Sequence, residues 1–202
     1  MKAAELFLVQ HARFHAIGTG ASYSERVFGG LSDHDMRVRP APHLNSLIWL
    51  LWHMARTEDV AVNLVVADCA QVLDDQWTER MNIPWRTIGT GMTEDDVESL
   101  TRQADMAAVK AYHAAVGQRT QDVVGALESG AWDEILGIAD TARAAAAGAF
   151  APQAPWIAGV GYRAWQGHSR AVQLASSGIA HNAMHLGEAV TIRSLAGFPL
   201  GI

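Results

Sequence analysis

Apolar residues recur at intervals of three and four along four long stretches of this chain, and no stretch shows the strict alternation of a half-buried strand. Such a pattern commits a sequence to helices that each bury one stripe. The spacing predicts a first helix from Ala3 to Ile17, stopped by Gly18-Thr19-Gly20, and a single helical turn opened by Ser32-Asp33. A second helix is expected from Asn45 to Leu73, with Asn45 or Ser46 supplying the N-cap oxygen. Thr93-Glu94-Asp95-Asp96 opens a third, its acids at the positive end of the dipole, and the pattern runs on to Leu127. Ala142 to Ala149 reads as a short helix, and Pro152, Pro155, Gly159 and Gly161 break up the stretch beyond it. A fourth long helix is expected from Ser169 to Leu195, closed by Gly197 and Pro199. Four long helices and no sheet imply an all-α four-helix bundle with long irregular connections, in one domain over residues 1–202.

Composition narrows the function. Half of the 202 residues are hydrophobic, which is enough for a substantial core. The net charge is −6, and the fifteen Lys and Arg form no basic stripe interleaved with aromatics, so nucleic acid is not an expected partner. Cys69, the single cysteine, excludes an internal disulfide and a cysteine-rich zinc site; its apolar neighbours suggest a small buried hydrophobe. The N-terminal run is too short and polar for a signal peptide, and no stretch reaches the ~20 apolar residues of a membrane-spanning helix. A cytoplasmic location is the expectation.

The chemistry lies in the histidines. His181 and His185 are four apart within Gly178-Ile179-Ala180-His181-Asn182-Ala183-Met184-His185-Leu186-Gly187-Glu188, so a helix stacks their rings on one face. That face is apolar at both ends and polar in the middle, and a polar island on a buried stripe needs partners. His53 lies in the apolar run Leu47-Ile48-Trp49-Leu50-Leu51-Trp52-His53-Met54-Ala55, on a face shared with Ser46, Trp49, Leu50, Thr57, Val60 and Leu64. If the two helices meet, three neutral imidazoles converge on one point and can hold a metal ion with an open position. His11 and His15 have the same spacing but lack an equally apolar partner run; they read as surface or pocket-lining side chains. Other templates fail. No Glu-x-x-His or His-Glu-x-x-His occurs, and there is no nucleophile elbow or phosphate loop. The seven tryptophans read as core or interface, with Trp49 placed to wall a pocket beside His53.

Two blocks resemble the DinB-like superfamily, in particular the branch with mycothiol- and bacillithiol-dependent enzymes. One is Leu31-Ser32-Asp33 through Arg37-Val38-Arg39-Pro40-Ala41-Pro42 and Asn45 to Asp59; the other is His181 to Glu188 with Ile192-Arg193-Ser194-Leu195-Ala196-Gly197. The resemblance implies a four-helix bundle, often a homodimer, with zinc or nickel held by His53, His181 and His185. It also implies a metal-dependent thiol S-transferase or isomerase acting on a small-molecule substrate, with mycothiol or bacillithiol bringing the sulfur. Glu188 stands where relatives often carry glutamine, and it is the candidate catalytic group: a fourth ligand, an acceptor behind His185, or a general base. Three alternatives stay open at this level: a metal-dependent hydrolase, a non-catalytic metalloprotein whose ion staples helices, and a metal-free interaction bundle.

Overall fold

The computed structural model describes residues 2–15, 22–151 and 165–202. The helices are α1 (Ala3–His11), α2 (Tyr23–Phe28), α3 (Asp33–Arg37), α4 (Leu47–Asp59), α5 (Asp75–Met81), α6 (Glu94–Gln103), α7 (Met106–Ala126), α8 (Ile138–Ala146), α9 (Arg170–Ala175) and α10 (His181–Leu195). Two π-helical stretches prolong them, Val60–Val66 after α4 and Ser176–Ala180 between α9 and α10. Among the described residues there is no strand, only an isolated bridge between Ile135 and Ser169. The fold is an all-α four-helix bundle: α1, α4 with its π extension, α7, and the α9–α10 rod.

Helix α4 is the axis of the molecule. Every residue from Leu47 to Asp59 is buried, which follows from a sequence that, His53 apart, is apolar on all sides over its first nine positions. Ser46 caps it, accepting a hydrogen bond from the Trp49 N–H at 3.2 Å. The expected single-sided burial therefore understates it. The last four residues, Arg56-Thr57-Glu58-Asp59, are as deeply buried as the apolar ones, and the two carboxylates are sustained there by internal partners.

Asp59 is one such case. Its Oδ1 accepts from the Asn63 side chain at 2.7 Å and the Val72 N–H at 2.7 Å. Its Oδ2 accepts from Arg56 at 3.0 Å, Tyr112 at 2.6 Å and the Leu73 N–H at 3.0 Å. Arg56 also donates to the Tyr112 hydroxyl and the Arg86 carbonyl. One carboxylate thus ties α4 to α7 and turns the chain that leaves the π extension back onto the bundle.

Boundaries differ from the periodic reading where local bonding overrides it. The third helix is two. Ala104 is extended, Asp105 caps α7 by accepting from the Ala108 N–H at 2.8 Å, and Arg37 donates to the carbonyls of Thr101, Arg102 and Ala104. Those are carbonyls left open at the end of α6. Helix α1 stops at His11 and turns through Phe14 rather than reaching Ile17, which lies outside the described residues along with Gly18-Thr19-Gly20. The expected breakers Pro152, Pro155, Gly159 and Gly161 also lie outside them. Helix α4 begins at Leu47, and its π extension ends at Val66 instead of Leu73. The short helices α2 and α5 have no counterpart in the apolar periodicity, being six and seven residues long. No described helix is long and apolar enough to cross a membrane.

Candidate metal centre

His53 reaches the bundle interior from α4, and His181 and His185 reach it from the first turns of α10. The three rings enclose a point: centroids lie 4.9 Å apart for His53 and His181, 4.7 Å for His53 and His185, and 4.5 Å for His181 and His185. One nitrogen of each lies within 4.8 Å of the others, and His53 Nε2 and His181 Nε2 are 3.2 Å apart. The sequence-predicted trio is therefore brought together. The π stretch Ser176–Ala180 immediately precedes His181, and such widened turns recur at functional positions in helices.

The outer nitrogens determine whether this group suits a metal. His53 Nδ1 donates to the Ile88 carbonyl, and His185 Nδ1 donates to Glu188 Oε2 at 2.8 Å. A proton held at Nδ1 leaves Nε2 as a bare lone pair facing inward, which is how histidine ligands are ordinarily oriented. His181 Nδ1 is buried without a partner. Glu188 accepts in turn from the Asn45 amide at 3.0 Å. Its carboxyl is lowered from the usual range, first by the bond from His185 and then by Asn45. Trp49 stacks on His53 with centroids 4.7 Å apart, as a wall beside the ring. The loop carrying Ile88 is placed by Gly89 at φ +89°, where a Cβ would stand 2.6 Å from the Trp52 ring. The Gly89-Thr90-Gly91 segment is thus more than a linker: it delivers the carbonyl that orients His53.

Burial keeps His53 and His181 neutral. The pKa of His53 is pushed down to about 4, first by burial and then by the His185 charge. His181 is lowered further, again first by burial. Neutral imidazole is the form a metal needs. In the metal-free protein this burial makes stability depend on pH. Unfolded, His53 takes up a proton near pH 6.5; folded, it resists to about pH 4. Between those values the unfolded chain binds more protons, so stability is intact above about pH 6.5 and falls as pH drops toward 4. The His53 share is about 3 kcal/mol at ~1.4 kcal/mol per pH unit. His113, fully buried and lowered well below its ordinary value, acts in the same direction. Denaturant melts from pH 7.5 to 4.5 are expected to show a progressive loss, and a flat profile would contradict the burial argument.

A second group of donors gathers one helical layer away. His11 and His15 of the N-terminal segment meet Glu58 of α4, and all three are completely buried. This corrects the surface reading of the pair. Their partner is the other face of the very helix that carries His53, five residues on. Glu58 Oε1 accepts from Thr120 at 2.7 Å and contacts His11 Nε2 at 2.7 Å; Oε2 accepts from Asn182 at 2.7 Å and contacts His15 Nε2 at 3.0 Å. His15 stacks between His11 and His113, with centroids 4.4 and 4.3 Å apart. Glycine makes the room. A Cβ at Gly117 would sit 2.3 Å from His15 Nδ1 and 2.9 Å from His15 Cβ, and one at Gly178 would sit 3.1 Å from Phe7. Gly117→Ala is expected to cost about 1–3 kcal/mol by overpacking. Thermal unfolding checks this, and an unchanged midpoint would contradict it. Glu58 was the residue that sequence reasoning missed; the available signal was an acid inside an otherwise buried helix.

Cys69 is half-buried and not packed as a plain hydrophobe: its thiol donates to Asn63 at 3.4 Å and its sulfur accepts from Arg119 at 3.2 Å.

The architecture is thus that of an all-α bundle with a three-histidine group between its second and fourth long helices. Residues 19–189 match the family model of the DinB superfamily, and the chain belongs to that superfamily. A crystal structure of a conserved protein from Enterococcus faecalis has a similar fold, with TM-score 0.63 and 20% identity, covering 96% of this chain and 97% of the other. No curated protein matches the chain in sequence.

Proposed function

We propose that the chain is a single-domain metalloprotein that holds a divalent ion, zinc or nickel, with His53, His181 and His185, and uses it as a metal-dependent thiol S-transferase or isomerase. The observation that carries this is the fixed orientation of two rings: His53 and His185 each bond outward through Nδ1, so their inner nitrogens are bare and convergent. Three neutral nitrogen donors leave coordination positions for a substrate atom. A divalent ion bound there would favour the deprotonated form of a coordinating thiol. Cys69 is engaged with Asn63 and Arg119 and does not join the histidine group, so the sulfur would come from a small thiol such as mycothiol or bacillithiol.

The chain's own residues orient and enclose the site in this reading. Glu188 acts through His185, holding its proton at Nδ1 and its ring in place, and Asn45 holds Glu188. Trp49 backs the His53 ring by stacking on it. Glu188→Ala is expected to weaken metal binding by roughly 10–100-fold, as removal of an outer partner of a ligand does; chelator competition measures it, and unchanged affinity would contradict the role. The resemblance to thiol-dependent relatives also supports a homodimer and a cytoplasmic setting.

The functional test incubates metal-loaded protein with mycothiol, bacillithiol and glutathione in turn, each with a generic electrophile. Turnover with one thiol, abolished in His185→Ala, is the expected result. No thiol consumption with any of the three, in protein shown to be metal-loaded, would leave the non-catalytic metalloprotein in its place.

A further inference from the structure

We propose that His11, His15 and Glu58 form a second metal site, closed to solvent, whose ion straps the N-terminal helix to the axis of the bundle. It is independent of the three-histidine group and shares no donor with it.

The donor set is two imidazoles and one carboxylate, a combination that suits zinc and its divalent neighbours. His11 closes α1 and His15 follows it in the turn beyond, while the carboxylate comes from α4, so the site joins segments 43 and 47 residues apart in the chain. The carboxylate has about four lone-pair directions. Thr120 and Asn182 occupy one on each oxygen, from α7 and α10. The remaining two face His11 Nε2 and His15 Nε2 at 2.7 and 3.0 Å. A tetrahedral ion at ~2.0–2.2 Å bond lengths holds neighbouring donors roughly 3.3–3.6 Å apart, so the rings draw back by roughly half an ångström from these contacts to admit one. Thr120 and Asn182 then play the outer role that ligating carboxylates require.

Charge argues the same way. Glu58 is completely buried and has no lysine or arginine among its bonding partners in the described residues. A carboxylate so placed needs a cation nearby to carry its charge. The available cations are an imidazolium or a metal ion. A metal held through both Nε2 atoms leaves a proton on Nδ1 of each ring, and a single imidazolium leaves one such proton; Nδ1 of both His11 and His15 is buried without an acceptor. Against that cost, a divalent ion engages both rings at once, whereas a second imidazolium stacked 4.4 Å from the first would repel it. With every donor fully buried, no position is left for substrate, which separates this site from the open one.

The test uses the full chain without an affinity tag and zinc alone as the probe. Protein equilibrated with zinc and freed of unbound metal by gel filtration is assayed for metal per chain. Two equivalents are expected in the native sequence. His53→Ala/His185→Ala should retain one, and adding Glu58→Gln should bring that below a tenth. Circular dichroism confirms folding; should the Glu58→Gln protein fail to fold, His11→Gln replaces it, with the same loss of one equivalent expected. One equivalent in the native protein, all of it lost with His185→Ala, would overturn the second site and leave the first intact. One equivalent lost with Glu58→Gln or His11→Gln but kept in His53→Ala/His185→Ala would do the reverse.

Discussion

His185→Ala and His53→Ala are each expected to empty the three-histidine site, while His11→Ala leaves it filled. Removing one of three protein donors should cost far more than the roughly 10–100-fold typical of an outer partner. The effect is more than the loss of a bond. Without His185, Glu188 loses the ring it orients, and His53 and His181 face each other nitrogen to nitrogen at 3.2 Å with no third donor. Nickel or zinc affinity by chelator competition reads the result. If His11→Ala emptied this site while His185→Ala kept it, the roles of the two histidine groups would be exchanged.

Asp59→Ala is expected to be the most destabilising single change in the bundle axis. The substitution leaves Arg56 a buried charge without its carboxylate, and the Val72 and Leu73 N–H groups and the Asn63 amide without their acceptor. Breaking a buried pair by removing one partner typically costs about 3–5 kcal/mol. For a chain of this size each kcal/mol moves the midpoint by roughly 2–4 °C, so a fall of about 6–20 °C is expected. Differential scanning calorimetry measures it, and a shift under about 3 °C would contradict the charge argument.

Much of the fold was legible in the residues, and the pattern of what was not is physical. Periodicity exposed the four long helices because each buries an apolar stripe. It overran the break at Ala104, because Asp105 can stand inside a helical pattern as easily as cap a new helix, and only Arg37, far upstream, shows which. His53, His181 and His185 stood out as polar interruptions of apolar runs. Glu58 did not, because it lies among Arg56, Thr57 and Asp59, where one more polar side chain interrupts no apolar run. Its partners come from α1, α7 and α10 closing around it. For the same reason His11 and His15 read as surface or pocket-lining side chains: their partner is met only in three dimensions. The His53–Ile88 bond was equally invisible, since it depends on a glycine turn that brings a carbonyl from 35 residues away.

The most direct test of the three-histidine centre is an anomalous difference map from crystals of the tag-free protein grown with nickel or zinc. A peak about 2.0–2.1 Å from Nε2 of His53, His181 and His185 is the expected result. A fully loaded protein whose map shows no peak among those three rings would contradict it.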